Sequence, residues 1–370
     1  MYFDNNATTP LHPEVVASMQ AAYTIFGNPS SIHAEGQKAR TELIQARRTI
    51  ATYLGVQPQE IFFTSGGTEG LNSLILGLQP GKKGHIITSS LEHTAVLYPA
   101  QARPDCEVTL IKGCERGAVS VEQVEQAITS DTVLIVLMAV NNETGVKTPW
   151  REIAALAEQK NIPFILDGVA LLGKEEIAPI PRGVTAISFS AHKIHGPKGV
   201  GFFFLRAGTP FSPLIRGGGQ EAQKRGGTEN LQGIIGLKKA IEMLKNSPFE
   251  HLKKLRDTFE EKLQEAIPLF HVNGSGDRIC NVSNIAFDGI DGESLLFNLD
   301  LLGIQASHGS ACSSGSLEPS RVLLSMGYPL PRARASIRFS FSRFNTLEEI
   351  DKLVAALKVE VQKLTHHHAH

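Results

Sequence analysis

The sequence predicts an α/β protein with a mostly parallel sheet and a smaller α+β part towards its C-terminus. Three observations predict it. From residue 61 to residue 205, short apolar runs of strand length alternate with helical stretches. Beyond about residue 280 the pattern changes to strands with clean in-and-out alternation, separated by small polar loops. At 370 residues the chain also exceeds what one hydrophobic core usually supports, so two domains sharing a cleft are expected. The expected division is a large domain over residues 12–255 and a small one made of residues 1–11 and 256–370.

Taken in order, Asp4-Asn-Asn-Ala-Thr-Thr-Pro10 is polar and turn-forming. Helices follow at about 13–23 and 34–54, the second stopped by Gly55. Its Lys38, Arg40, Arg47 and Arg48 read as a solvated face. Ile61-Phe-Phe63 is a strand, and Ser65-Gly-Gly-Thr68 a turn into a helix reaching residue 78. A small-residue turn at a helix start aims backbone N–H groups at one spot, where an anion can bind; a plain capped turn looks the same in sequence. No Walker or Gly-x-Gly-x-x-Gly pattern occurs, which weakens nucleotide readings. Strands at 85–88, 107–111, 132–138 and 163–167 alternate with helices near 94, 121–128 and 150–159.

In open sheets of this kind ligands bind beyond the carboxyl ends of the strands. His93, Asn142, Asp167 and Lys193 all fall at or just past such ends. Lys193 lies in Ser188-Phe-Ser-Ala-His-Lys-Ile-His-Gly-Pro-Lys-Gly-Val-Gly201, a tight polar turn between two buried strands at 184–189 and 199–205. A lysine with a packed stem and a partly desolvated amine has a lowered pKa and can attack a carbonyl. A solvated loop lysine is the commoner fate, and the residue alone leaves both open.

The run Arg216–Asn230 is a glycine-rich loop, either a connector or a second set of phosphate donors lent by a neighbouring subunit. Helices at 229–245 and 249–267, a strand at 282–287, a helix at 293–300 and a short strand at 304–306 come next. Ser307–Ser316 is small, polar and rich in glycine, so mobility is expected there. Cysteines are usually buried, so Cys312 in such a run reads as a reactive thiol. Pro319 is expected in the first turn of a helix over 319–326. In the strand at 335–341, Ile337, Phe339 and Phe341 face one way and Ser336, Arg338 and Ser340 the other. Arg338 there can offer a fork to a carboxylate, or stand on a surface edge. A last helix covers about 346–364.

Composition excludes several classes. The chain is 42% hydrophobic and 20% charged with a formal net charge of −1, giving no general attraction to nucleic acid or anionic membrane. No apolar run approaches the roughly 20 residues of a membrane span. Met1-Tyr-Phe-Asp-Asn-Asn6 has neither the basic start nor the apolar core of a signal peptide, so the cytoplasm is expected. Cys106, Cys114, Cys280 and Cys312 are scattered and form no Cys-x-x-Cys pair, which argues against a disulfide framework or a zinc site. His366-His-His-Ala-His370 reads as a frayed end rather than a metal site.

The lysine segment resembles that of the pyridoxal-phosphate (PLP) dependent cysteine desulfurases of NifS/IscS type. The resemblance covers nearly the whole chain. It is carried by Asp4-Asn-Asn-Ala-Thr-Thr-Pro10, Thr64-Ser-Gly-Gly-Thr-Glu69, Glu92-His93, Val140-Asn-Asn-Glu-Thr-Gly145, Ser190-Ala-His-Lys193, Gly217-Gly-Gly-Gln-Glu221, Arg225-Gly-Gly-Thr-Glu-Asn230, Gly309-Ser-Ala-Cys-Ser-Ser-Gly-Ser-Leu-Glu-Pro-Ser320 and Ser336-Ile-Arg-Phe-Ser340.

It implies the PLP-dependent transferase fold type I of the class-V aminotransferases, with a seven-stranded large-domain sheet, usually in a homodimer. It implies that Lys193 carries the cofactor and moves protons at the substrate Cα, that Asp167 pairs with the pyridine nitrogen, and that His93 stacks on the ring. Gly67, Thr68, Ser190 and His192 would hold the phosphate, with Thr228 coming from the partner subunit. Asn142 and Arg338 would take the substrate carboxylate. Cys312 would take sulfur from L-cysteine as a persulfide, release alanine, and pass the sulfur to an iron–sulfur cluster scaffold or a tRNA-thiolation factor.

One departure stands out: the family has Asp-Ala-x-Gln where this chain has Asp167-Gly-Val-Ala170, and Ala170 cannot donate a hydrogen bond. Rival readings are a selenocysteine lyase or another fold type I enzyme, and a sulfur-transfer scaffold with weakened chemistry.

Overall fold

The computed structural model describes residues 1–79, 81–246, 249–309 and 318–367. Its main sheet holds β1 (Ile61–Thr64), β2 (Gly84–Ser89), β3 (Cys106–Ile111), β4 (Thr132–Met138), β5 (Phe164–Asp167), β6 (Ala186–Ser190) and β7 (Gly201–Leu205), in the order β1-β7-β6-β5-β4-β2-β3. β2 to β6 pair in parallel, and β7 runs antiparallel to both of its neighbours. Apart from the edge strand β3, the strands are buried almost throughout because helices cover both faces. Along β4, Val133, Leu134, Ile135, Val136 and Leu137 are all buried, with Ile135 and Leu137 in one core and Leu134 and Val136 in the other.

The first core takes α1 (Pro13–Ala22), α2 (Ala34–Leu54), α5 (Val121–Ala127), α6 (Trp150–Lys160) and α7 (Leu231–Glu242); the second takes α3 (Gly67–Gly77) and α4 (Thr94–Gln101). Helix ends follow local chemistry. α2 starts at His33, whose Nδ1 accepts from Gly36 N at 3.3 Å, and stops at Gly55, which is left-handed at φ 67°.

A second, antiparallel sheet has the order β10-β9-β8, from β8 (Phe270–Val272), β9 (Val282–Phe287) and β10 (Ser336–Ser340). α8 (Phe249–Ala266), α9 (Gly292–Leu301) and α12 (Leu347–His367) pack on it, and α10 (Arg321–Ser325) and α11 (Leu330–Arg334) sit beside it. In α8 the residues Leu252, Leu255, Phe259 and Leu263 repeat at helical spacing and meet Ile337, Phe339 and Phe341 of the β10 region. Each such side chain contributes about 1.5–3 kcal/mol by burial. Phe3 lies in the same core, so the chain's first residues join its last. Leu252, near the start of α8, belongs to this core too.

The mostly parallel sheet and the α+β C-terminal part are as expected. Several details differ. Residues 304–306 form no strand: Gln305 bridges Tyr2, and Ser307 bridges Arg338. Pro319 lies outside its helix, because Ser320 is the N-cap and accepts from Leu323 N at 3.1 Å. Arg47 is not on a solvated face. It grips Glu221 with both terminal nitrogens, at 2.9 and 2.6 Å, while Glu221 also accepts from Phe63 N at 2.8 Å. The strand β8 and the helix α11 were not anticipated.

Candidate active site

Four strand ends of the main sheet open on one cavity of about 170 Å³. Asp167 ends β5; Lys193 lies on the 3-10 turn after β6; Asn142 follows β4; His93 caps the helix after β2. All four line the cavity, as do Gly67, Thr68, Ala170, Ser190, His192 and Arg338. The approach of α3 depends on missing side chains. A Cβ on Gly67 would stand 2.6 Å from Val169 Cγ2, and one on Gly201 would stand 2.7 Å from Gly66 Cα. Glycine at both positions lets the first turn of α3 close over the cavity. No side chain caps that helix, so its first N–H groups and dipole are left for an anion.

The groups deeper in the cavity carry unusual charge balances. Asp167 is buried, and one oxygen accepts from Val169 N at 3.0 Å. Burial raises its pKa, and the Val169 bond and the charges of His93 and Lys193 only partly offset that. His93 accepts from Ala95 N through Nδ1 at 3.0 Å, which leaves Nε2 to carry the proton of the neutral ring. His192 meets Thr8 Oγ1 at 3.2 Å, and burial with Lys193 and Lys198 nearby pushes it down to about 4. It is therefore neutral, a donor or acceptor rather than a cation. Lys193 Nζ donates to the main-chain oxygens of Asn6 and of Ala7, the latter at 2.9 Å. Beneath His93, Glu92 is fully buried, takes a bond from Ser89 Oγ at 2.6 Å, and is pushed up to about 8 by burial.

Arg338 also lines the cavity. It is 1% exposed, so it stands on no surface edge. Nη2 pairs with Asp4 at 2.7 Å and Nη1 donates to Asn142 O at 3.0 Å, while Nε is buried without a hydrogen-bond partner. Asn142 O also accepts from Asn6 Nδ2 at 3.1 Å. A cation with a spare buried donor on a cavity wall suits a carboxylate. Facing it are an uncapped helix start for a phosphate, a buried acid for a cationic ring nitrogen, an imidazole for a ring face and an amine for an aldehyde. The residues present thus fit a flat, phosphorylated, cationic ring bearing a carbonyl.

Sequence reasoning gave no role to Asp4, Asn6, Ala7 or Lys174, which also bear on this cavity or its lysine. Asp4 was legible only as part of a quoted string, and carbonyl oxygens carry no residue signal. Thr228 does not line the cavity. It lines a separate depression with Arg225, which pairs with Glu69 at 2.9 Å. Cys312 lies outside the described residues. On either side of that segment, Ser307 exchanges main-chain bonds with Arg338 at 2.7 and 3.2 Å, and Ser320 donates to Glu143. Burial pushes the Cys280 thiol up to about 11, in keeping with an inert one. Among the described residues no group of three or more His, Cys, Asp or Glu is placed to hold a metal, and no helix is long and apolar enough to cross a membrane.

Comparisons with known proteins agree with this chemistry. The family model described as aminotransferase class-V matches residues 1–353. The cysteine desulfurase IscS of Dictyoglomus turgidum is 41% identical over 374 residues, spanning 98% of this chain and 95% of that protein. Among solved structures, a NifS-like protein superposes with a TM-score of 0.90 at 34% identity, covering 98% of this chain and 100% of its own. A structure described as SspA in complex with cysteine reaches 0.82 at 34% identity, covering 93% and 99%.

Proposed function

This chain belongs to the aminotransferase class-V family and is a cysteine desulfurase, and from that premise we propose how its own residues do the work. One observation carries the reading: Lys193, Asp167, His93, the uncapped start of α3 and Arg338 share a single cavity.

The resident cofactor in this proposal is pyridoxal 5′-phosphate, which when bound supplies an electron sink next to the substrate Cα. Lys193 would tether it and then shuttle the proton at Cα. Asp167 would face the pyridine nitrogen, and a ring cation there relieves the buried carboxylate. His93 would lie against the ring. Gly67, Thr68, Ser190 and His192 would hold the phosphate, with Thr228 of the partner subunit completing the set in a homodimer. Arg338 and Asn142 would orient the carboxylate of L-cysteine.

Cys312, as thiolate, would attack the substrate sulfur. A sulfur–sulfur bond forms as the substrate Cβ–S bond breaks, and the carbon fragment takes up protons and leaves as alanine. The persulfide then passes to an acceptor protein of iron–sulfur assembly or tRNA thiolation, in the cytoplasm. We further propose that residues 12–255 and residues 1–11 with 256–370 act as the two walls of the cleft.

The test is to load the purified protein with pyridoxal phosphate, add L-cysteine, and measure alanine and protein persulfide together. Equal yields of the two are expected, with Cys312→Ala keeping the cofactor's colour but forming no persulfide. Sulfide release that survives Cys312→Ala would replace this reading with direct elimination of sulfide.

A further inference from the structure

The cavity contains a second lysine that the chemistry above leaves unused. Lys174 lies on the connection after β5, four residues beyond Ala170, and both line the cavity. The Lys174 side chain is buried, and its Nζ donates to the main-chain oxygen of Lys193 at 2.9 Å. Several groups face it. The Cys280 Sγ donates to the Lys174 main-chain oxygen at 3.1 Å; Arg343 and His195 lie within electrostatic reach; Lys193 is directly across the bond.

None of these is a carboxylate, and burial keeps the Cys280 thiol neutral. The adjacent Glu175 pairs with Lys147 at 2.9 Å, and among the described residues no carboxylate forms an ion pair with Lys174. A buried ammonium without a counter-charge is costly to keep, which is a reason to look for a task.

We propose that Lys174 is a positioning residue for Lys193: its ammonium pins the carbonyl of the Lys193 turn and, by like-charge repulsion, makes a proton on the Lys193 nitrogen easier to lose. The inference rests on Lys193 being the cofactor lysine. It gives Ala170 a counterweight. A missing donor at Ala170 favours the protonated lysine–cofactor linkage, and a cation beside the turn disfavours it. Burial with Arg343 nearby lowers Lys174 itself to about 8, so its charge is lost at mildly alkaline pH. If the two amines repel as proposed, they lose their protons in coupled steps.

The experiment is an absorbance titration of the protein loaded with pyridoxal phosphate, as wild type, Lys174→Met and Lys174→Arg. The linkage pKa is expected to rise by about one unit in Lys174→Met and to stay near wild type in Lys174→Arg. A purely structural role would weaken colour retention or lower the melting temperature without moving that pKa. Should Lys174→Met fail to fold or to take up colour, the wild-type curve decides: two coupled steps support the proposal, and a single one-proton step overturns it. A coloured wild type with an unmoved pKa in Lys174→Met sinks this inference alone. A wild type that takes up no colour sinks the cofactor reading beneath it.

Discussion

The two ends of the cavity hold charge in opposite ways. At the ring end, Asp167 is buried with burial outweighing every favourable contact, so its carboxylate is held at a cost. At the carboxylate end, Arg338 is more deeply buried still but already has Asp4 at 2.7 Å and the Asn142 carbonyl at 3.0 Å. The first end is a deficit that a bound cation would fill. The second is nearly balanced, with one spare donor at Nε. The difference is what the proposed roles would ask of each end. A site that keeps a permanent guest can leave its own charge unbalanced until the guest arrives. A site whose guest comes and goes each turnover is better kept near neutrality between visits.

The largest effect should come from removing the deficit. Asp167 is an acid whose folded pKa lies above its unfolded one. Between those values the folded chain holds the extra proton, so stability falls as pH rises through that window, and the full cost remains above the folded pKa. Asp167→Asn keeps an oxygen for Val169 N and removes the charge. At neutral pH the cofactor-free variant should therefore be more stable than wild type, while cysteine turnover falls about 100-fold. Thermal melts of the cofactor-free proteins check the first half. A variant that melts lower than wild type would show that the buried carboxylate is structural, and the contrast between the two ends would collapse.

A smaller effect is expected from unbalancing the other end. Asp4→Asn leaves Arg338 with a buried charge and no counter-charge at Nη2, so stability should fall by about 2 kcal/mol. A carboxylate arriving in the cavity would then supply what Asp4 no longer does. L-Alanine, the expected product, should raise the melting temperature of Asp4→Asn more than that of wild type. Equal alanine shifts in the two proteins would mean that the ligand carboxylate does not meet Arg338.

The same contrast explains what could be read from the chain. The ring end was legible because each of its parts is local. A strand announces itself by an apolar run, and the residue that ends it is placed at the rim by the architecture alone, as for Asp167 after Phe164-Ile-Leu166. Arg338 showed its alternation, but not that Ser336, Arg338 and Ser340 are all buried. Ser336 meets Asn273, Arg338 meets Ser307, and Ser340 meets Phe3 and Asn5, more than 330 residues away in the case of the N-terminal segment. Such contacts leave no period in the sequence. Arg47 was misjudged for the same reason, its partner Glu221 being 174 residues distant. The strand β8 is only three residues long, too short for alternation to register.

The finest probe of the ring end is Ala170. It lines the cavity directly after Val169, the Asp167 hydrogen-bond partner, where relatives of this type are expected to carry a glutamine. With no donor there, the phenolic oxygen of a bound pyridoxal phosphate depends on the protonated lysine linkage for its partner, which holds that proton in place. Ala170→Gln should return the donor, lower the linkage pKa by about half a unit to one unit, and raise turnover modestly. The change acts on the same proton as Lys174 but with the opposite sign, so the two shifts should add in Lys174→Met with Ala170→Gln and nearly cancel. An absorbance titration in which Ala170→Gln matches wild type would mean that some other donor already serves that oxygen. The ring end would then be better balanced than its buried carboxylate suggests.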